Sequence, residues 1–455
     1  MKRWMLYLGP AIAICLGLGL LYSGSTALIA WTAGVTALTA SWWIFEPIPI
    51  PATSLIPIGV LPLVGVLDHH QVGAAYGNKL ILLLLGGFML SSAMARSGAH
   101  RRIALTMVSL FGGSSGRRLV FGFMAAAALL SMWISNMATT LLLLPIVMAV
   151  SEKVSDSRLR TALLLGVAYA ASVGGVGTPV GTPPNLIFFE NYRVITGAEP
   201  TFLEWMTWAL PVVIVMVPLM GIWLTRGLPA HAPINMPAVG KWRSEEIRTL
   251  LVFAVTALLW VTRKEPFGGW CEWAGLPSAS DASVALVAVV AMFIIPNGKG
   301  ERLLDWETAG KIPWGILLLF GSGMVIAEAF KSSGLSESLG STLTGLGQLP
   351  TFVLIALLCL TITFLTEVTS NTATTTLLMP ILGAAAVSTG IEPKIIMVPA
   401  TISASFAFML PAATGPNAVV FGSEQLTVRE MAREGVALNF IGVVVVTLIT
   451  YLLFA

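Results

Sequence analysis

Two stretches of this chain combine hydroxyl, amide and small side chains without a single charge: Ser135-Asn136-Met137-Ala138-Thr139-Thr140 and Ser370-Asn371-Thr372-Ala373-Thr374-Thr375. Each is followed by a second polar stretch, Gly181-Thr182-Pro183-Pro184-Asn185 in one case and Ala413-Thr414-Gly415-Pro416-Asn417 in the other. Serine and threonine hydroxyls both donate and accept hydrogen bonds, and asparagine does both through separate atoms. Proline removes a backbone donor and stops a helix, which frees carbonyl oxygens. Neutral oxygens of this kind suit a small hard cation. Hydroxyl, amide and backbone N–H donors suit an anion, helped by the positive end of a half-helix. The chemistry on offer is therefore joint binding of a cation and an anion. Catalysis needs a nucleophile–base pair or a metal cluster, and the sequence presents no such set.

The residues around these motifs extend the pattern. Ser131 stands four residues before Ser135, and Thr366 four before Ser370, so each places a hydroxyl one turn upstream of its motif. The plainer alternative is that these hydroxyls bond their own helix backbone. Glu367, Glu328 and Glu46 lie in apolar contexts, where an ionisable group is a functional candidate by default. Glu367 either carries a proton, pairs with a base or sits near the pore, or it is structural; its repeat partner, Met132, favours the structural role. Glu328 is expected near the outer interface. Trp133 either walls the site or anchors the chain beside it. His69, His70, His100 and His231 are expected in loops, with no ligand spacing, and Cys15, Cys271 and Cys359 lie far apart as small apolar fillers.

The motifs belong to an internal repeat. Residues 83–97, LLLGGFMLSSAMARS, face 318–332, LLFGSGMVIAEAFKS, at an offset of 235. The two Ser-Asn motifs and the prolines Pro145 and Pro380 keep that offset, and the GTPPN and ATGPN segments follow at 232. Generic small-residue packing does not produce one offset persisting over about 60 residues with the motifs in the same order.

The elements that position these motifs follow from composition. The chain has 455 residues, 56% hydrophobic and only 10% charged, against roughly 25% charged in soluble domains. Most of its surface must then face lipid, and a formal net charge of +3 does not point to nucleic acid. Apolar runs at 5–22, 25–45, 49–67, 80–95, 161–189, 205–225, 248–262, 282–296, 312–330, 395–420 and 434–455 predict about eleven transmembrane helices. Two further runs, 119–150 and 351–386, are interrupted near their middles. They are expected to be re-entrant hairpins, with arms of about 14 to 16 residues, too short to cross comfortably. With the N-terminus in the cytoplasm, nineteen of the 25 lysines and arginines fall on the cytoplasmic side, Lys2, Arg3 and Lys153 among them. The C-terminus then lies outside, and spans 80–95 and 312–330 run in opposite directions, so the repeat is inverted. Trp31, Trp42, Trp43, Trp205, Trp208 and Trp223 fall near span ends, as interfacial aromatic belts do.

The expected fold class is an all-α polytopic membrane protein. Its organisation is read as 1–79, N-terminal scaffold helices; 80–225, a first repeat unit with an inward hairpin at 119–150 and a broken helix at 161–189; 226–311, linker and scaffold helices; and 312–455, a second unit with an outward hairpin at 351–386 and a broken helix at 395–420.

With the paired Ser-Asn motifs and the GTPPN segment in view, the chain resembles the divalent anion:sodium symporter family of dicarboxylate and citrate transporters. The resemblance covers nearly its whole length. It implies an elevator-type transporter, a homodimer with a scaffold domain and a mobile transport domain, and symport of a small dianion with sodium as coupling ion and no other cofactor. Carried over by position, Ser135, Asn136, Thr182, Pro183, Ser370, Asn371, Thr372, Thr414 and Gly415 would contact substrate carboxylates. One sodium would sit among Ser131, Ser135, Asn136 and the Gly181 carbonyl, and another among Thr366, Thr369, Asn371 and the Ala413 carbonyl. The first motif departs from the family pattern, with Met137 where threonine is usual, and methionine has no hydrogen-bond donor. The expected activity is sodium-coupled uptake of a succinate-like dicarboxylate across a bacterial inner membrane, in contact with lipid. The alternatives are sodium-independent dicarboxylate exchange and transport of another dianion such as sulfate.

Overall fold

Apolar runs bounded by capping residues set the helices. Asn78 caps Lys79–Ser97 with its side chain, and Gly98 closes that helix in the left-handed region. Capping boxes built by Thr201 with Glu204 and Thr427 with Glu430 open Phe202–Leu224 and Val428–Phe454. The structure, a computed structural model, describes residues 4–111, 115–151, 156–228, 240–342 and 348–455. Lys2, Arg3, Lys153 and His231 lie outside the described residues. Among the described residues all regular structure is helical, apart from one isolated bridge between Pro296 and Arg302.

Among the described residues seven stretches are long and apolar enough to cross a membrane: Met5–Tyr22, Ala27–Phe45, His69–Ser97, Phe202–Leu224, Trp314–Ser333, Asn371–Thr389 and Val428–Phe454. Shorter apolar helices lie between them, including Asn136–Ser151, Asp281–Ile294, Thr351–Thr366 and Pro393–Ala404. The two halves repeat one order of elements. In the first half, Lys79–Ser97 is followed by Ala99–Phe111, the hairpin Gly116–Ser131 and Asn136–Ser151, the broken pair Ser157–Gly175 and Pro183–Thr196, and Phe202–Leu224. In the second, Trp314–Ser333 is followed by Leu335–Thr342, the hairpin Thr351–Thr366 and Asn371–Thr389, the broken pair Pro393–Ala404 and Gly415–Phe421, and Val428–Phe454.

Several sequence expectations are corrected. The span expected at 49–67 is two short helices, Ile50–Thr53 and Leu55–Leu63, because Pro49, Pro51, Pro57 and Pro62 interrupt its hydrogen bonding. The outgoing arm of the second hairpin has 19 residues, longer than its partners, and stops at Gly390 in the left-handed region. His69 and His70 are not in a loop; they open the helix His69–Tyr76, capped by Asp68 and Gln71, and His100 lies in the helix Ala99–Phe111. Trp205 is not interfacial: it is fully buried, and its indole N–H donates to the Val176 carbonyl at 2.8 Å. Trp43 is likewise buried and donates to Ser54 Oγ. Glu328 is half-buried and accepts the Ser332 hydroxyl.

Candidate functional site

Each Ser-Asn motif sits at the turn of a hairpin, where the second arm begins. The first arm of hairpin one ends at Ser131 and the second begins at Asn136; in hairpin two the corresponding residues are Thr366 and Asn371. The upstream hydroxyls do not simply bond their own helix. Ser131 donates to Asn136 Oδ1 at 2.7 Å, and the Thr366 hydroxyl lies 2.9 Å from both Asn371 Oδ1 and the Ala404 carbonyl. Both hydroxyl residues are fully buried. In each hairpin the asparagine oxygen is thus turned back into the protein, which leaves its NH2 group as the outward donor. The close approach behind Asn136 requires a glycine: a Cβ at Gly175 would stand 2.2 Å from Asn136 Oδ1.

The broken helices supply the opposing wall. Residues 176–182 and 405–414 leave the helical path, and backbone groups in such stretches must find other partners. In the first segment Asn185 Nδ2 donates to the carbonyls of Gly175 at 3.1 Å and Thr178 at 2.7 Å. Thr178 donates to the Met132 carbonyl, and Trp205 holds Val176. In the second, Asn417 Nδ2 repeats the pattern, with the carbonyls of Ala407 and Leu410 each at 3.0 Å. Asn185 and Asn417 stand at the same place in the two motifs, and that shared offset is the signal in the sequence that marks them.

Glu367 takes the structural role. Its Oε1 accepts the backbone N–H of Phe408 at 2.7 Å and of Met409 at 2.9 Å, and the Asn439 amide at 2.7 Å. Its Oε2 accepts the Leu410 N–H at 3.0 Å. One buried carboxylate therefore ties hairpin two to the unwound segment beside it and to the last helix. From the other half, Tyr169 donates to the Phe408 carbonyl at 2.6 Å. Neither partner of Phe408 was legible before the chain was folded.

All four polar stretches line a single cavity of about 540 Å³. Every residue expected to contact substrate is on its wall: Ser135, Asn136, Thr182, Pro183, Ser370, Asn371, Thr372, Thr414 and Gly415. From the expected ion sets, Ser135, Asn136, Gly181, Thr369, Asn371 and Ala413 also reach the wall, whereas Ser131 and Thr366 stand behind it and orient the asparagines. The Thr369 hydroxyl bonds the Leu365 carbonyl and Thr374. Trp133 does both things expected of it. It lines the cavity, and its ring stacks on Phe202 and Trp260 at centroid distances of 6.3 and 6.5 Å. Among the described residues the wall has no lysine or arginine, and its one carboxylate is Glu46. Such a pocket offers an anion dipoles and donors but no fixed positive charge.

The profile of the family described as the sodium:sulfate symporter transmembrane region matches residues 3–454. The chain belongs to this divalent anion:sodium symporter family. The family makes it an integral membrane transporter. The sodium-dependent dicarboxylate transporter SdcS of Staphylococcus saprophyticus is 37% identical over 444 residues, covering 92% of this chain and 85% of that protein. SdcS of Staphylococcus aureus USA300 is 36% identical over 446 residues, with the same coverage. Two solved transporters share the fold at 15% identity. YdaH of Alcanivorax borkumensis has a TM-score of 0.61 over 87% of this chain and 89% of its own. MtrF of Neisseria gonorrhoeae has a TM-score of 0.59 over 86% and 84%.

Proposed function

We propose that the protein is a secondary active transporter that couples uptake of a small dicarboxylate, succinate in size, to sodium. The observation that carries this reading is the cavity of about 540 Å³, in which both Ser-Asn tips and both unwound segments meet with no lysine or arginine among the described residues of its wall. A dianion there needs countercharge, and the neutral oxygens at the tips suit a sodium ion close to the bound carboxylate. The carboxylates are taken by the NH2 groups of Asn136 and Asn371, the hydroxyls of Ser135, Ser370 and Thr372, and the segments carrying Thr182, Pro183, Thr414 and Gly415. Sodium is held near Ser135, Asn136 and the Gly181 carbonyl, and near Thr369, Asn371 and the Ala413 carbonyl. Ser131 and Thr366 fix the asparagine rotamers. The SdcS relatives, named as sodium-dependent dicarboxylate transporters, support the same pairing of ion and substrate.

In this reading the hairpins enter from opposite sides of a bacterial inner membrane, the N-terminus is cytoplasmic and the C-terminus outside. The repeat units at 80–225 and 312–455 carry the site past scaffold helices within 1–79 and 226–311, as alternating access through inverted broken repeats requires. The Met5–Tyr22 helix, only 11% buried in its spanning window, meets lipid or the second copy of a homodimer.

Radiolabelled succinate uptake into proteoliposomes under an imposed sodium gradient tests the proposal. Sodium-driven accumulation without internal substrate is expected. Uptake that needs internal counter-substrate and ignores sodium would indicate an exchanger instead. Asn136→Ala and Asn371→Ala should each abolish sodium-stimulated uptake while leaving a folded protein; normal sodium-dependent kinetics in both would refute the site.

A further inference from the structure

The two ends of the cavity are not chemically equal. At repeat-related positions the tips carry Met137 and Thr372, and the facing broken helices carry Gly415 and Pro183; all four residues line the cavity. Met137 is half exposed. A Cβ placed on Gly415 would lie 3.2 Å from Met137 Cβ, 3.4 Å from its Cγ and 3.5 Å from its Sδ. The methionine therefore lies along Gly415 and fills the space that a side chain at that position would take. At the other tip, no hydrogen bond within the described residues engages the side-chain hydroxyl of Thr372, and that of Ser370 forms no cap. Both remain available beside the Asn371 NH2 group. At the first tip Ser135 Oγ accepts the Ala138 N–H and keeps its own O–H to donate, so the tips differ at the third position alone, where the thioether of Met137 adds no donor.

The geometry points to Met137 as the residue that sets substrate selectivity, and to unsubstituted four-carbon dicarboxylates as the preferred class. This rests on the reading that the cavity takes a dicarboxylate. One carboxylate is held by the donor-rich Ser370-Asn371-Thr372 tip. The second meets Ser135 and Asn136, with the Met137 thioether against the adjoining methylene. A hydroxyl or a third carboxylate on the substrate gives up its water at this wall and receives no donor in return, which costs it affinity. Methylenes lose nothing there. An apolar wall discriminates against an added hydroxyl by up to about a hundredfold, and against a carboxylate, which sheds a charge's hydration, by at least that.

Competition against sodium-driven succinate uptake tests this in the full-length protein, with malate and citrate as probes. In the unaltered protein malate and citrate should inhibit at least about tenfold more weakly than succinate. Met137→Thr restores a donor and opens space, so both ratios should narrow by about tenfold or more. Met137→Leu, which keeps an apolar wall of similar volume, should keep them. Equal inhibition by the three acids in the unaltered protein overturns the inference whether or not the variants fold. So do unchanged ratios in Met137→Thr. A protein that takes up no succinate at all, under a sodium gradient or against internal counter-substrate, would sink the dicarboxylate reading itself, and the selectivity inference with it. Uptake that is present but unselective would sink the inference alone.

Discussion

Replacing Glu367 by glutamine should weaken sodium binding at the cavity while changing a side chain that does not line it. The carboxylate receives four hydrogen bonds, from the N–H groups of Phe408, Met409 and Leu410 and from the Asn439 amide. Each is charge-assisted, worth about 1.5 to 3 kcal/mol against about 1 kcal/mol for a neutral pair. Glutamine keeps one oxygen, which can still take the three donors that now reach Oε1. Its NH2 group must then face the Leu410 N–H, donor against donor. Weakening three bonds and orphaning one buried N–H costs about 3 kcal/mol after allowing for relaxation and non-additivity. The cost falls on residues 408–410, three to six residues before Ala413 and Thr414 on the cavity wall. If sodium binding has to restore that segment, its apparent affinity drops by the fraction of molecules still ordered, up to about a hundredfold for 3 kcal/mol. The assay is a sodium titration of succinate uptake, paired with the thermal midpoint of detergent-purified protein with and without sodium. Glu367→Gln should need far more sodium for half-maximal uptake and should lose thermal stability. An unchanged sodium dependence together with an unchanged midpoint would refute the idea that Glu367 holds the unwound segment. A change in pH dependence alone, with sodium affinity intact, would return Glu367 to the role of proton carrier.

Two further substitutions probe the same framework from other directions. Gly175→Ala puts a methyl group 2.2 Å from Asn136 Oδ1, which forces the amide away from Ser131; uptake should fall at least about tenfold, whereas Gly19→Ala, with nothing within 4 Å of the new Cβ, should behave as the parent. Tyr169→Phe removes the 2.6 Å bond from the first half to the Phe408 carbonyl and leaves a buried acceptor unpaired, so it should destabilise by about 1 to 2 kcal/mol, read as a lower thermal midpoint in detergent; an unchanged midpoint would show that the bond contributes nothing.

What could be read directly from the chain was local or periodic. Apolar runs of membrane length and the polar interruption at the turn of each hairpin depend on neighbours a few residues apart, so they survive in one dimension. The repeat was also legible, because two copies of one folding unit keep their polar interruptions at one spacing. That was enough to nominate Ser135, Asn136, Ser370 and Asn371 and to pair the halves. The one-dimensional view failed where a residue's role depends on what lies across the fold. Trp205 looks like an interfacial tryptophan until the helix Phe202–Leu224 packs its indole N–H against the carbonyl of Val176. Glu367 reads from the sequence as structural, but the donors it holds appear only when residues 408–410 fold back over it. Tyr169 finds its acceptor 239 residues away in sequence. In each case the cause is the same: backbone that leaves a helix inside an apolar interior must be satisfied by whatever donor or acceptor the packing brings near, and only the assembled helices determine which residue that is.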